Sequence, residues 1–377
     1  MELPLFKIYA DDDELSEVAR VIARKSYWTM GNMVRVFENQ VAEYFNKKHA
    51  VAFNSGTSAL HGALHACGVE RGDEVIVPSF TFISTANAPL FVGARPIFAD
   101  IEKETFGLDP ERVMERITNR TKAIIPVHFA GCPCQIRALK EIAEDHRLAL
   151  IEDCAEAFGA TFNRRKVGTF GEMGVFSFCQ NKIITTAEGG MVVTNDGFAK
   201  NQMELLRSHG RIQKPGESYF LSNEDHVSLG YNFRMSDIHA ALGYAQFSKL
   251  GLILRLRRNL AKILNKRFGS ISELTVWEPP QGYHHAYQMY NIWVNGGETV
   301  RDSLQTYLRD RGVASKVYFH PVHLNSLYKN SLGWREGVLP VTEEVSKHLV
   351  AVPFYPGMKK EEVEYLESAV RGGLADA

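Results

Sequence analysis

Several features that mark other classes of protein are scarce or missing in this 377-residue sequence. Five cysteines are too few, and too oddly numbered, for a disulfide framework in a chain of this length. Lys and Arg total 43 against 44 Asp and Glu, so a net charge of -1 gives no electrostatic footprint for nucleic acid or an anionic membrane. The apolar runs are too short to span a bilayer, and the sequence does not start with a secretory signal. We therefore expect a cytoplasmic protein without a nucleic-acid or membrane partner.

Short apolar runs alternate with helical patterns through the first two-thirds of the chain. The runs are apolar at consecutive positions, which is typical of parallel strands that are covered on both faces. Strands are predicted at 50–53, 74–78, 95–99, 122–127, 148–152, 174–178 and 190–194, and helices at 58–67, 84–92, 110–117 and 134–146. This alternation predicts an α/β fold, a three-layer, mostly parallel sheet with helices on both sides.

The pattern changes near residue 246, and we predict two domains. A large domain would span 1–248 and a small C-terminal α+β domain 249–377, joined by a long helix at about 246–268. The basic residues of that helix fit a solvated face. In the small domain, strands are predicted at 276–278, 290–294 and 315–318, and helices at 299–311 and 360–370.

The first stretch that suggests chemistry is 54–58, Asn-Ser-Gly-Thr-Ser, between a predicted strand and a predicted helix. Free backbone N–H groups at a helix start, a glycine and hydroxyl side chains can form a cup for an anion. An ordinary helix cap by Ser55 or Thr57 explains the same residues. The stretch is neither the dinucleotide fingerprint nor a P-loop, because the glycine pattern differs and no Walker lysine follows.

Asp153 and Lys182 each follow an apolar strand. A carboxylate at a strand end can pair with a cationic heterocycle, although Asp153 could instead bind a metal or cap a turn. Lys182 has no Asp or Glu within five residues on either side, and a partly desolvated lysine suits Schiff-base chemistry, although most lysines are surface charges. An anion cup, an aromatic residue, an acid and a lysine together form the set that pyridoxal phosphate (PLP) requires.

With these motifs, the sequence resembles the DegT-type nucleotide-sugar aminotransferases, which are fold type I PLP enzymes. The resemblance extends from Trp28-Thr29-Met30-Gly31 to Pro353-Phe354-Tyr355-Pro356 and includes 78–82, 126–128, 152–160, 176–182 and 230–243. It implies a fold type I aminotransferase-like large domain with a smaller C-terminal domain, pyridoxal 5'-phosphate as the cofactor, and no metal.

The resemblance also implies roles for individual residues. Lys182 would form the imine with the cofactor, Asp153 would face the pyridine nitrogen, and Phe82 would stack on the ring. The phosphate would be bound by Gly56, Thr57, Ser58 and Ser177. Asn232 would reach the cofactor phosphate of the other subunit, which implies a homodimer with shared active sites.

The implied reaction moves an amino group from L-glutamate to C3 or C4 of a keto-deoxy sugar on a nucleoside diphosphate. Residues expected near the substrate are Thr29, Gly31, His209, Arg234, His320 and His323, of which the last four could equally be structural. The choice of sugar is expected to depend on loops such as 213–223.

The sequence departs from the family pattern at three positions. Glu156 stands where glutamine is frequent beside the phenolic oxygen of the cofactor, so it would be protonated there or repel the phenolate. Cys179 replaces a common histidine, and Ala187 a common glycine.

Lys182 itself separates the alternative functions. Related sugar dehydratases carry histidine in its place, so its presence favours transamination. A PLP-dependent sugar dehydratase and a non-catalytic regulatory homologue remain the alternatives. A zinc site at Cys132, Cys134 and His128 is disfavoured, because no second ligand pair has suitable spacing.

Overall fold

A computed structural model describes residues 1–212 and 225–376, so the predicted specificity loop at 213–223 lies outside the described residues. Its strands are β1 (His49–Phe53), β2 (Glu74–Pro78), β3 (Arg95–Ala99), β4 (Thr121–Ile124), β5 (Ala149–Asp153), β6 (Thr161–Phe162), β7 (Arg165–Lys166), β8 (Met173–Ser177), β9 (Gly190–Thr194), β10 (Leu274–Thr275), β11 (Tyr283–His284), β12 (Tyr290–Val294) and β13 (Leu349–Val352). Seven of them form one sheet in the order β1-β9-β8-β5-β4-β2-β3.

Most neighbouring strands in this sheet are parallel, as predicted. The parallel pairs are β3 with β2, β2 with β4, β4 with β5, and β5 with β8. Strand β9 instead runs antiparallel to both β8 and β1, because residues 178–189 fold the chain back on itself. Strands β2, β3 and β9 have the predicted bounds. Strand β4 ends earlier than predicted, two residues before Pro126, whose ring nitrogen cannot donate to a ladder.

The helices are α1 (Asp12–Ala23), α2 (Met33–Phe45), α3 (Gly56–Ala66), α4 (Ile83–Phe91), α5 (Pro110–Met114), α6 (Ile136–His146), α7 (Gly197–Arg207), α8 (Asp237–Ser248), α9 (Leu250–Phe268), α10 (Gly297–Asp310), α11 (Ser326–Leu332), α12 (Pro340–His348) and α13 (Lys360–Ala375). Helices cover both faces of the large sheet. Val75 and Val77 of β2 pack into the core that contains α3 and α4, whereas Ile76 packs with α6 on the opposite face. The predicted three-layer architecture is confirmed. None of the helices within the described ranges is both long and apolar enough to cross a membrane.

The prediction of one long helix at 246–268 is wrong in one respect, because the segment belongs to two helices. Helix α8 ends at Ser248 and α9 begins at Leu250, with Lys249 between them. The Lys249 amide donates to the carbonyl of Gln246, three residues back instead of four, at 3.1 Å. The Lys249 ammonium is held by the carboxylates of Asp11 and Glu14, so tertiary ion pairs anchor the break.

A second, smaller core forms around the three-stranded sheet β10-β12-β13, with residues from α9, α10 and α13. Strand β12 has the predicted bounds. The strand predicted at 276–278 is wrong, because the strand lies at Leu274–Thr275. The strand predicted at 315–318 is also wrong, since only Lys316 makes an isolated bridge there. Leu3 also lies in this core, although it is remote in sequence. The domain boundary at 248/249 stays a prediction.

Candidate active site

Lys182 lies in the connection that folds β8 back onto β9. Its amide donates to the carbonyl of Cys179 at 2.9 Å, and the Thr185 hydroxyl donates to the carbonyl of Phe178 at 3.0 Å. Ala187 has φ +66, in the left-handed region that favours glycine, which explains why glycine suits this position. The side chain of Lys182 is 15% exposed, so the turn presents a partly desolvated amine.

Asp153 is the last residue of β5, and its side chain is buried. The Thr85 hydroxyl donates to Oδ2 at 2.8 Å and the Ala155 amide donates to Oδ1 at 3.0 Å. Burial raises the pKa of Asp153, while these hydrogen bonds and the charge of Lys182 oppose that rise. A cation placed beside the carboxylate would relieve the cost of burying its charge.

Glu156 is the second buried carboxyl group near Lys182. Its Oε2 accepts a hydrogen bond of 2.8 Å from the Ala130 amide, and its Oε1 lies 3.6 Å from Lys182 Nζ. Burial raises the pKa of Glu156, and the charge of Lys182 acts in the opposite direction. Lys182 therefore faces a carboxyl group that can hold or release a proton next to Nζ.

The raised pKa of Glu156 predicts how the variant Glu156→Gln behaves without cofactor. A carboxyl group whose folded-state pKa is raised costs stability once the pH rises above its unfolded value, near 4.5. Glutamine removes that cost and still accepts from Ala130. The free energy of unfolding of E156Q, minus that of the wild type, should therefore grow as the pH rises from about 4.5 to 7. Denaturant unfolding at several pH values measures this difference.

Glu144→Gln is the matched control for that prediction, because Glu144 lies exposed on α6 and, within the described part of the chain, pairs with Lys140 of the same helix alone. Its unfolding free energy relative to the wild type should show no comparable trend. An E156Q protein whose relative stability falls with rising pH would contradict the assignment.

The start of α3 is the stretch that the sequence predicts to be an anion cup. Ser55 is the N-cap residue, with reciprocal bonds between its side chain and Ser58, so the cap interpretation is also correct. Thr57 Oγ1 and Ser84 Oγ share a hydrogen bond of 2.7 Å. Ser177, at the end of β8, lies against Gly56. The first N–H groups of a helix have no intrahelical acceptor, so this cup fits a phosphate group.

Gly56 is required by the close approach of Ser177. A Cβ at position 56 would lie 2.9 Å from the Ser177 Cβ, closer than real contacts. Gly56→Ala is therefore expected to cost about 1–3 kcal/mol of stability and to weaken PLP binding about tenfold or more. Cofactor titration and thermal unfolding measure both effects.

Gly251→Ala is the control for Gly56, because position 251 lies on the exposed side of α9 with the nearest side-chain atom at 3.7 Å. It should keep cofactor affinity and gain up to about 1 kcal/mol of stability. Equal cofactor affinity in G56A and the wild type would rule out the cup.

Phe82 precedes α4, and its side chain is 59% exposed despite its aromatic ring. Its ring centroid lies 6.2 Å from that of Phe319. An exposed ring, a helix-start cup, a buried acid and a partly desolvated amine are the parts that hold PLP, so the residues present fit this cofactor.

Three of the predicted substrate residues line one open cavity of about 1010 Å³. These are Thr29, Gly31 and Arg234, and the Arg234 guanidinium donates to Ser208 Oγ at 3.2 Å. The lining, as far as the described residues show it, shares no residue with the cluster around Lys182. The charged residues of the lining are mostly cationic: Arg24, Arg35, Lys200, Arg207, Arg211 and Arg234, against Glu38 and Glu204.

The predicted histidines differ in their positions. His320 is exposed, and the carbonyl of His209 accepts from His226 Nδ1 at 2.9 Å. His323 is fully buried, with ring nitrogens at 2.7 Å from Ser79 Oγ and 3.1 Å from Glu343 Oε1. The structure therefore places His323 in a hydrogen-bonded interior position, because Ser79 and Glu343 enclose it.

Thr85, which donates to Asp153, is a candidate site residue that sequence reasoning missed. It belongs to the Thr-Phe-Ile-Ser-Thr motif and lies one helical turn after Phe82, so spacing could have pointed to it.

A buried group that could in principle hold a metal lies beside Asp153. It consists of His128, Glu152 and Cys154. Glu152 accepts three backbone hydrogen bonds of 2.6–2.8 Å and lies 3.2 Å from His128 Nε2. The Cys134 amide donates to His128 Nδ1 at 3.1 Å, which places the ring proton on Nε2. These hydrogen bonds give the side chains of His128 and Glu152 partners within the protein. The cluster is therefore explained as a support for the end of β5.

Comparisons with known proteins agree with this geometry. The family model of DegT/DnrJ/EryC1/StrS aminotransferases matches residues 9–371. The GDP-perosamine synthase of Vibrio cholerae is 33% identical over 98% of both chains. The UDP-N-acetyl-3-dehydro-alpha-D-glucosamine 3-aminotransferase of Acidithiobacillus ferrooxidans is 35% identical over 96% of this chain and 94% of its own. A Streptococcus pneumoniae protein solved in its pyridoxamine phosphate form superposes with a TM-score of 0.94 at 26% identity, over 100% of both chains.

The family match covers nearly the whole chain, and the residues of the described cluster fit the cofactor that this family uses. The resemblance stated from the motifs and the expected cofactor are thereby confirmed. The chain belongs to the DegT/DnrJ/EryC1/StrS aminotransferase family and is a PLP-dependent sugar aminotransferase.

Proposed function

We propose that this enzyme transfers the amino group of L-glutamate to C3 or C4 of a keto-deoxy sugar on a nucleoside diphosphate, in amino-sugar biosynthesis. The observation that carries the proposal is the position of Lys182 Nζ, which lies 3.6 Å from Glu156 and close enough to the buried Asp153 for its charge to oppose the rise that burial causes in the pKa of Asp153. A mobile amine at this point supports transamination over dehydration. Relatives named for aminating GDP- and UDP-linked sugars support the substrate class.

The cationic cavity supports an anionic substrate. Arg234 and its neighbours can bind a diphosphate or a carboxylate, since guanidinium groups bind both in a bidentate manner. A volume of about 1010 Å³ is large enough for the nucleoside diphosphate part of this substrate, and the keto sugar would extend from the cavity to Lys182.

Each residue of the cluster has one task in the proposed mechanism. The bound cofactor supplies an electron sink for the carbon that loses a proton. Asp153, oriented by Thr85 and Ala155, keeps a proton on the pyridine nitrogen. With the cofactor bound, Lys182 Nζ would take up the proton that the amino donor loses and later release it, first as base and then as acid.

The remaining contacts would hold the cofactor in place. In this proposal the helix-start cup binds the phosphate through Gly56, Thr57, Ser58 and Ser177, and Phe82 covers the ring.

A homodimer with shared sites is part of the proposal. Asn232 lies beside the cup of its own chain, where its carbonyl accepts from Asn54 Nδ2 at 3.4 Å. Apolar side chains in the segments next to the cationic cavity are exposed, among them Trp28 at 45% and Leu229 at 79%. A second copy that covers them would bring Asn232 of the partner subunit to the cofactor phosphate.

The five free cysteines suit a reducing compartment, so we place the reaction in the cytoplasm.

The visible absorption spectrum before and after addition of L-glutamate tests the reaction. We expect the band of the bound cofactor to disappear as the pyridoxamine form accumulates, and keto-sugar nucleotides to restore it. A band that glutamate leaves unchanged would overturn the donor or the reaction type and favour elimination. Failure to bind PLP at all would favour a non-catalytic homologue.

Mixed dimers test the shared site. Co-expressed K182A and N232A chains should form hybrids with one intact site, giving about a quarter of the wild-type activity when subunits mix at random. Activity no higher than that of either variant alone would contradict the sharing of residues.

A further inference from the structure

The segment 285–288 links the smaller core to the catalytic cluster. The Ala286 amide donates to the carbonyl of Gly131, and the Gln288 amide donates to the carbonyl of Ala130, both at 2.8 Å. The side-chain Nε2 of Gln288 donates to the carbonyl of Asn181, the residue before Lys182. Gln288 thus contacts both the 129–131 turn and the Lys182 turn.

These contacts close a ring. The Ala130 amide donates to Glu156 Oε2 at 2.8 Å, and Glu156 Oε1 lies 3.6 Å from Lys182 Nζ. Starting from Lys182, the ring runs through Asn181, Gln288, Ala130 and Glu156 and returns to Lys182. Gln288 is the member that joins its two halves.

Gln288 is itself held firmly. It is 5% exposed, and Arg257 of α9 donates to the carbonyls of Tyr287 and Gln288 at 3.0 and 3.2 Å. Arg258 donates to the carbonyl of His285 at 3.0 Å. Two guanidinium groups therefore fix the backbone from which the amide of Gln288 projects.

Packing alone does not explain a glutamine at this position. Its Oε1 is buried and has no hydrogen-bond partner among the described residues. An unsatisfied buried oxygen costs stability that an apolar side chain of similar size would not cost. The donor on Nε2 is the feature that the site uses.

We propose that Gln288 is a positioning residue for Lys182, because it ties the peptide bond before Lys182 to the turn that orients Glu156. The distance between Nζ and the Glu156 carboxyl group is then set by a side chain of the segment that leads into β12. This inference rests on the proposed role of Lys182. It also means that the Lys182 backbone stays in place when Nζ is released during the reaction.

The test compares Gln288→Met with Gln246→Met in the PLP-loaded enzyme. Methionine keeps the length and packing of glutamine but cannot donate. Gln246 is an equally buried glutamine that donates to the carbonyl of Tyr9 at 2.7 Å and to Glu14 at 2.6 Å, remote from Lys182 in the sequence. Both variants should lose stability, but only Q288M should alter the site.

Two readouts separate positioning from stability. In Q288M, the pH midpoint of the visible band of the bound cofactor should fall by about half a unit or more, because a proton at Nζ loses its nearby carboxyl group. The rate of the first half-reaction with saturating L-glutamate should fall about tenfold, whereas Q246M should match the wild type in both. The other titratable groups that face this turn, Asp153, Cys179 and Tyr318, are unchanged in both variants.

An unchanged midpoint and rate in folded, PLP-bound Q288M would overturn the proposal. If Q288M does not fold, Gln288→Asn decides, since asparagine keeps the uncharged amide but is one methylene shorter than the side chain that reaches the Asn181 carbonyl; it should shift the midpoint and rate in the same directions, and wild-type values would refute the proposal. Failure of the proposed function is distinguishable, because the wild-type band would then not respond to L-glutamate.

Discussion

Lys182→Ala is expected to lower the rate of amino transfer about ten-thousandfold or more, the largest effect of any substitution considered. Nζ is the proposed attachment point of the cofactor and the group that moves the proton between two carbons, so both tasks are lost together. The variant should still bind PLP through the cup at α3 and through Asp153. Its absorption band should therefore be that of free PLP, shifted from the wild-type position, and single-turnover kinetics with L-glutamate measure the loss.

Lys140→Ala is the matched control for this substitution. Lys140 lies on the surface helix α6 and pairs with Glu144 four residues away. Its removal should leave the spectrum and the rate unchanged, because exposed pairs of this kind contribute little. A K182A protein with full activity would refute the proposed mechanism.

Asp153→Asn is expected to lower kcat/KM about a hundredfold to a thousandfold. Asparagine has nearly the same shape as aspartate but carries no charge, so it cannot keep a proton on the pyridine nitrogen. Without cofactor, the variant should be at least as stable as the wild type at neutral pH, because burial raises the pKa of Asp153 and makes its ionisation costly, and because the Thr85 hydroxyl can turn towards Thr81 and accept from the new amide. Steady-state kinetics and denaturant unfolding of the cofactor-free protein measure the two effects.

Asp100→Asn is the matched control and should show the opposite combination of effects, namely a lower stability with an unchanged kcat/KM. Asp100 is also buried, and it accepts hydrogen bonds of 2.8–2.9 Å from Ile101, Val341 and Thr342. The amide nitrogen of asparagine cannot accept the hydrogen bond that Val341 donates to Oδ2, so D100N should be less stable while keeping its activity. Similar activity losses in D153N and D100N would indicate a general packing effect and contradict the role given to Asp153.

The sequence by itself determined the features that depend on neighbouring residues. Strand β2 was predicted with its bounds because five consecutive residues are buried, which leaves an uninterrupted, mostly apolar run. The cap of α3 at Ser55 was one of the two predicted, because capping involves residues three apart. Asp153 and Lys182 were identified because each follows an apolar strand, and the resemblance to a known family gave the cofactor.

Only the tertiary structure decided which groups meet around Lys182. Asp153 accepts from Thr85, 68 positions away, and Asn181 accepts from Gln288, 107 positions away. His323 was expected near the substrate, but its ring lies buried between Ser79 and Glu343. The local sequence around a histidine is the same whether its ring faces a substrate or the interior, so the sequence could not distinguish the two positions. Periodicity specifies which face of an element is buried, whereas the partner across that face is fixed by the packing of remote elements.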